Sequence, residues 1–488
     1  MAVQEDEALT GKIHPEKRDL RALGTAAVAL LVWHIISWQF PFFWDTVLNA
    51  KIAHWYLESD FAQLTVPERL DAGHPPFFNL YLAGIWAGVG KSLTAAHLAL
   101  LPFLLVLLVQ YWKLAVRFLP ENVRAWALVL LFCEPTFLAQ SSMITPDIVL
   151  VAMFLTSINA VLEGRRLRLA LALIVMASVT FRGILAVPAV FLIEVGLGWQ
   201  AGRRKPDWGK ILAYLPVGGL TLVWLWVHYR AVGWLLTPPP ETYGAHRKLV
   251  GIGTLARNLG IVGWRFLDFG RIAVWLVVLG ALVAGGRRSV RNWPDLRRLG
   301  WMFLAPAALW TLLFIPFSNP IGMRYFLSAY LLLMLIALGL VAQWPTATLR
   351  RAGRLGMALV LISGHFWVYP DSIAKSWDSS LAHLPYFGLQ RDLAEEMAVR
   401  GIDPAQVCTD FPMLAPPRFA YVRESAPPFG RDLKATERLG NCEFVLWSNI
   451  SNGFEAAEWE ILDREFTQVL DRQKGAVRMR LFRRVGVE

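Results

Sequence analysis

The sequence predicts an all-α polytopic membrane protein of about eleven transmembrane helices, followed by a small soluble α/β domain. Three observations carry that expectation. Of 488 residues, 56% are apolar, 22 are tryptophan and only 17% are charged, a composition that cannot be solvated around one compact core in water. Apolar runs near the roughly 20 residues that a hydrocarbon layer demands recur along the chain, separated by short basic loops. Beyond residue 370 those runs stop, and charge, caps and turns take over. The net charge of +11 sits largely in the loops, so it reads as topology and contact with anionic membrane lipids. Nucleic-acid binding is not expected.

Residues 1–20 form a polar segment. Lys12, Lys17, Arg18 and Arg21 flank the apolar run 24–43, which lacks a small-residue cleavage site and should stay as a helix. The positive-inside rule puts the N-terminus in the cytoplasm and residue 45 on the far face. An outer loop over 43–93 comes next. Within it, 46–58 sets Leu48, Ile52, Trp55 and Tyr56 against Asn49, Lys51, His54 and Glu58, the pattern of a helix lying along the membrane surface. Pro75 and Pro76 favour an extended turn, and 77–90, short for a crossing, reads as a second interfacial helix. Further spans are expected at 94–116, 125–140, 148–162, 169–180, 184–199, 211–229, 259–284, 301–317, 325–343 and 355–368. They complete a transmembrane domain over 21–370 and leave nearly every arginine cluster inside.

The remainder, 371–488, should form an extracytoplasmic module. An amphipathic helix is expected at 389–400 and strands at 406–409, 443–447 and 476–483. Cys408 and Cys442 fall in an oxidising compartment where they could pair, or they could be two buried thiols. Cys133, inside a span, is expected to pack.

A charge in or beside hydrocarbon costs several kcal/mol unless it has a partner or a function. On this topology Asp45, Asp147, Arg182 and Arg324 all fall at outer ends of spans. Two acids and two strong phosphate binders on one face suggest a site for an anionic lipid headgroup. A lone arginine there would merely snorkel, and Asp45 or Asp147 could cap the helix that follows it; four converging segments favour the site. His74, Tyr243 and His246 are further candidates to line it. Glu134, within a span, should face a cavity or a partner. Gly88, Gly90, Lys91 and Ser92 look like the end of a phosphate loop, but position 85 is Ile and no strand precedes it. No nucleotide fingerprint, Cys/His metal cluster or serine elbow is visible, so the energy for a reaction must arrive with the substrate.

FFWD before a surface helix, then GHPPFFNLYLAG, EPTFLAQSSMITPD and NPIGMRYFLSAYLLL, together resemble the polytopic lipid-phosphate-sugar glycosyltransferases of the C-type (GT-C) fold. Protein O-mannosyltransferases and the bacterial transferase that adds aminoarabinose to lipid A are the relatives this pattern is most similar to. The resemblance covers 20 to about 370. It implies that Asp45 matches the first-loop catalytic aspartate, Asp147 the second-loop acid, and His74, Pro75 and Pro76 the His-Pro-Pro step. Many members carry Glu after the first aspartate where this chain has Thr46, a departure that favours sugar transfer in general over protein mannosylation.

The expected activity is transfer of a sugar from a polyprenyl-phosphate-linked donor to a protein, lipid or glycan acceptor, at the outer face of a bacterial plasma (inner) membrane. Asp45 would act as general base with inversion, and Arg182 and Arg324 would hold the donor phosphate. A divalent metal requirement is left open. The competing class is a transporter or flippase for a lipid-linked or anionic solute, which should show discontinuous helices and mid-membrane acids on paired repeats.

Overall fold

A computed structural model describes residues 16–202, 208–235, 238, 244–293, 295–318, 321–367, 369, 376–423, 430–432, 439–450, 454 and 456–486. Each of the eleven predicted spans forms helix. In chain order these and the two helices expected at the surface are α1 (Lys17–Ser37), α2 (Thr46–Glu58), α3 (Phe77–Val89), α4 (Leu93–Phe118), α5 (Glu121–Cys133), α6 (Pro135–Ser141), α7 (Pro146–Leu162) and α8 (Arg166–Val179). They continue as α9 (Phe181–Gln200), α10 (Leu215–Val232), α11 (Ile252–Leu267), α12 (Arg271–Asn292), α13 (Asp295–Phe314), α14 (Leu327–Ala342) and α15 (Ala347–Ser363). Helix α14 is the axis of the bundle: buried almost throughout, it packs against α5, α12 and α13. By length and hydropathy, four helices among the described residues could each cross a membrane alone, or up to six spans if two bent pairs are counted.

Those bent pairs depart from the simple sequence pattern. At Glu134–Pro135 the chain turns by 64°, because proline tolerates only the first turn of a helix and Glu134 caps α6 by accepting from the Phe137 amide at 2.5 Å. The expected continuous span 259–284 is in fact two helices, α11 and α12, meeting at 86°. Asp268, Phe269 and Gly270 make the corner, with φ of +50° at Phe269 and +81° at Gly270. A Cβ at Gly270 would lie 2.1 Å from the Val360 carbonyl oxygen, so only glycine lets the corner press against α15. The first helix also stops early: α1 ends at Ser37 rather than 43, and residues 40–43 carry no regular structure up to Asp45.

The predicted domain boundary at 371 lies outside the described residues. From Ser376 the chain builds a five-stranded sheet of order β2-β1-β3-β5-β4, from β1 (Val407–Thr409), β2 (Arg431–Asp432), β3 (Phe444–Ser448), β4 (Phe466–Lys474) and β5 (Val477–Arg484). β1 is parallel to β2 and β3, while β3, β5 and β4 run antiparallel. Helix α16 (Pro385–Val399) packs on β4 and β5, and Cys408 and Cys442 form a buried disulfide. Strands β2 and β4 were not expected: β4 presents mostly polar, exposed residues and follows α17 (Ala456–Glu465) without a break.

Candidate active site

The four charged residues that topology placed at one face meet in space. Arg324 lies in the 3-10 turn Met323–Phe326 that leads into α14, and its guanidinium is surrounded by carboxylates. One terminal nitrogen donates to Asp45 and the other to Asp378. Its Nε lies 3.2 Å from Asp147 Oδ2, off the hydrogen-bonding direction. Asp147 then bridges to Arg182 at 2.5 Å. The Arg182 guanidinium lies 4.1 Å from the centre of the Tyr325 ring, a cation–π seat that orients it.

Local sequence explains how each group is aimed. Thr145 caps α7, accepting from the Asp147 amide at 3.2 Å, so the cap is threonine and the aspartate carboxylate is released for the arginines. Thr180 caps α9 in the same way through the Gly183 amide at 3.0 Å, which sets Arg182 in the first turn. Asp45 precedes α2 but makes no side-chain cap bond; its carboxylate goes to Arg324 instead. Thr46 closes the turn around it, its hydroxyl accepting from the Phe43 amide at 2.8 Å and donating to the Phe43 carbonyl at 2.7 Å. The residue that departs from the family pattern thus serves as a buried local staple. Trp44 is held at φ +54°, an uncommon conformation for a bulky side chain.

The charges differ in exposure. The Asp45 side chain is 59% exposed, whereas those of Arg324 and Asp147 are 9% and 4%. One acid therefore faces solvent while the other is locked between two guanidiniums.

His74 flanks the cluster. Its Nδ1 accepts from the Phe181 amide at 3.3 Å, beside Arg182. Enclosure in the cleft, followed by the charges of Arg182 and Arg247, pushes the imidazole pKa down to about 4. The residue as a whole is exposed to solvent, so the cleft around it is open to water. Its loop is tied down by Arg247, which donates to the Ala72 carbonyl at 2.6 Å, and by the pairing of Asp71 with His228 at 2.9 Å. Leu48, Ile52, Tyr56, Leu70 and Trp224 line an adjoining pocket that His74 also faces. Tyr243 lies outside the described residues, and of His246 only the backbone is described.

Glu134 has the partner expected of a buried acid. Arg271, at the start of α12, donates to it and to Thr136, with the Tyr330 ring 3.8 Å from the guanidinium. This pair pins the two broken helices to each other. Among the described residues no group of three or more His, Cys, Asp or Glu is arranged to hold a metal ion.

Two participants escaped the sequence analysis: Asp378, and the aromatic grip of the C-terminal domain on residues 42–44. The Phe42 amide donates to the Ala420 carbonyl at 2.8 Å. Phe43 stacks on His383 with ring centres 4.6 Å apart, and Trp44 meets Phe411 edge-on at 5.2 Å.

No protein-family model and no curated protein matches the chain. Among solved structures it is similar to ArnT from Cupriavidus metallidurans in the apo state, with a TM-score of 0.53 and 14% identity over 93% of this chain and 96% of that one. The same ArnT bound to undecaprenyl phosphate gives a TM-score of 0.49 and 13% identity over 94% and 97%. The fold is the C-type glycosyltransferase fold, with a small C-terminal domain.

Proposed function

We propose that the protein is a multi-pass inner-membrane glycosyltransferase that moves a sugar from a polyprenyl-phosphate-linked donor to an acceptor hydroxyl at the extracytoplasmic face. The observation that carries this is that one cluster holds both an exposed carboxylate (Asp45) and, joined to it through Arg324 and Asp147, a guanidinium (Arg182) whose remaining donors meet no second carboxylate among the described residues. The fold supports the reading.

In the reaction the acceptor oxygen attacks the anomeric carbon as the bond from that carbon to the phosphate oxygen breaks. Asp45 takes the acceptor proton, and the electron pair leaves with the polyprenyl phosphate. Arg182 meets the charge that develops there, and neutral His74, whose Nδ1 is already an acceptor, offers an Nε2–H. Displacement on one face inverts the anomeric centre. Arg324 was expected to bind the donor phosphate as well; with three carboxylates around it, its first role is to aim Asp45 and Asp147. The acceptor is a hydroxyl of a protein, lipid or glycan.

The two broken helices are a feature that a transporter would share. The charges at those breaks, however, are spent on their neighbours, Glu134 on Arg271 and Asp268 on Arg265. Reconstituting the full chain in vesicles with radiolabelled polyprenyl-phosphate sugars, with and without a chelator, separates the readings. Label transferred or released as sugar supports the transferase, label moved intact across the bilayer supports the transporter, and neither outcome overturns both.

A further inference from the structure

Among the described residues the cluster holds more negative than positive charge. Arg182 and Arg324 face Asp45, Asp147 and Asp378, two guanidiniums against three carboxylates. Among the described groups packed around them, Arg265 and Arg271 stand against Asp268 and Glu134, Arg265 also faces Asp378, and Arg247 and His228 share Asp71. The third carboxylate is no accident of a flexible side chain. Trp377, Asp378 and Ser379 form a buried turn, and Gln140 of α6 donates to the Asp378 carbonyl at 2.7 Å. Thr136 of α6 donates to the Ser379 carbonyl at 3.4 Å, and the Ser379 hydroxyl donates to Asp378 Oδ1 at 3.1 Å. An apolar residue at 378 would leave Arg324 paired with two acids and the site neutral, so the extra charge asks for a use.

We propose that Asp378, supplied by the C-terminal domain, is a positioning residue that also acts electrostatically, fixing Arg324 in place while its surplus charge drives the spent polyprenyl phosphate out of the site. This rests on the transferase reading. The donor is a phosphodiester with one negative charge, and the product is a monoester that gains a second charge above its second ionisation, near pH 6. A site of net charge −1 therefore disfavours product more than donor. The interaction acts through space, with Asp147 lying between Arg324 and Arg182.

The test uses the full-length protein in detergent and two probes that need no sugar: a polyprenyl phosphate and its methyl phosphodiester. Asp378→Asn keeps the shape and removes the charge. At separations of roughly 7 Å and a water-like dielectric, one charge is worth about threefold in affinity. At pH 8 the variant should therefore bind the diester about threefold tighter and the doubly charged monoester about tenfold tighter. At pH 5, where both lipids carry one charge, the two gains should be equal. Ser379→Ala loosens Asp378 without changing charge and should shift both affinities alike, leaving the ratio between the two lipids where it is. Partial misfolding lowers the fraction that binds but not the affinity, so it cannot imitate this pattern. Equal gains at pH 8, unchanged affinities, or weaker binding in Asp378→Asn would each overturn the role of Asp378 while the transferase reading stands. Failure of the wild-type protein to bind either lipid would remove both.

Discussion

Substituting Asp45 by Asn tests the centre most directly, because structure separates its catalytic effect from its effect on stability. A general base is worth about 10² to 10⁴ in rate, or about 3 to 5 kcal/mol of barrier. The Asp45 side chain is 59% exposed, so the ion pair lost with Arg324 is worth no more than about 1 kcal/mol of stability. Arg324 also retains Asp147 and Asp378. Asp147→Asn is the counterpart: at 4% exposure and between two guanidiniums, its loss should cost about 3 to 5 kcal/mol. Transfer of labelled sugar by the reconstituted full chain, with a thermal melt of each variant, reads both quantities. Asp45→Asn should melt with the wild type and turn over at least about a hundredfold more slowly, whereas Asp147→Asn should melt early. An Asp45→Asn enzyme within tenfold of wild type would refute the base assignment.

Further outcomes follow from the same geometry. Arg182→Lys keeps the charge but loses the planar fork, and should raise the donor KM by about tenfold with a smaller change in kcat; an unchanged KM would remove Arg182 from the phosphate site. Glu134→Gln or Arg271→Leu leaves an unpaired charge or a stranded partner in a pair whose side chains are 1% and 2% exposed. Each should destabilise by about 3 to 5 kcal/mol, and the double replacement Glu134→Leu with Arg271→Leu should cost less than the sum. Burial pushes the His383 pKa down to about 4. The unfolded chain, near 6.5, then takes up the proton first as pH falls. The associated stability is complete above about pH 6.5 and declines by about 3 kcal/mol towards pH 4. Replacing His383 by Asn should flatten that share of the pH dependence of the melt; identical slopes would contradict it.

Much of this was legible in sequence because lipid imposes rules that soluble proteins escape. The positive-inside bias alone was enough to send Asp45, Asp147, Arg182 and Arg324 to one side, and four charges on one face beside hydrocarbon need partners. Asp378 was hidden for the same reason. It sits in Trp377-Asp378-Ser379-Ser380, beyond the last apolar run, where an aspartate is ordinary and nothing local shows that the turn folds back onto α6. The corner at Asp268–Gly270 left a trace, since Asp268 and Arg271 interrupt an apolar run with a glycine between them, but hydropathy averaged over a span smooths such a break away. Strand β4 left less: its polar, exposed residues follow a helix with no intervening turn, and only pairing with β5 makes it a strand.

The C-terminal domain is better understood as one wall of the site than as an appendage. Holding Trp44 at φ +54° costs about 1 to 3 kcal/mol, and an isolated loop would relax it. The neighbours that oppose relaxation come mainly from beyond the membrane helices: Ala420 takes the Phe42 amide, His383 and Tyr386 enclose Phe43, and Phe411 meets Trp44. The same domain delivers Asp378 to Arg324. Both ends of the Asp45–Arg324 pair are thus set by one body, the carboxylate through its backbone and the guanidinium through its charge. A carboxylate as exposed as Asp45 keeps a single direction because the loop that carries it is held by Thr46 from within and by the C-terminal domain from outside.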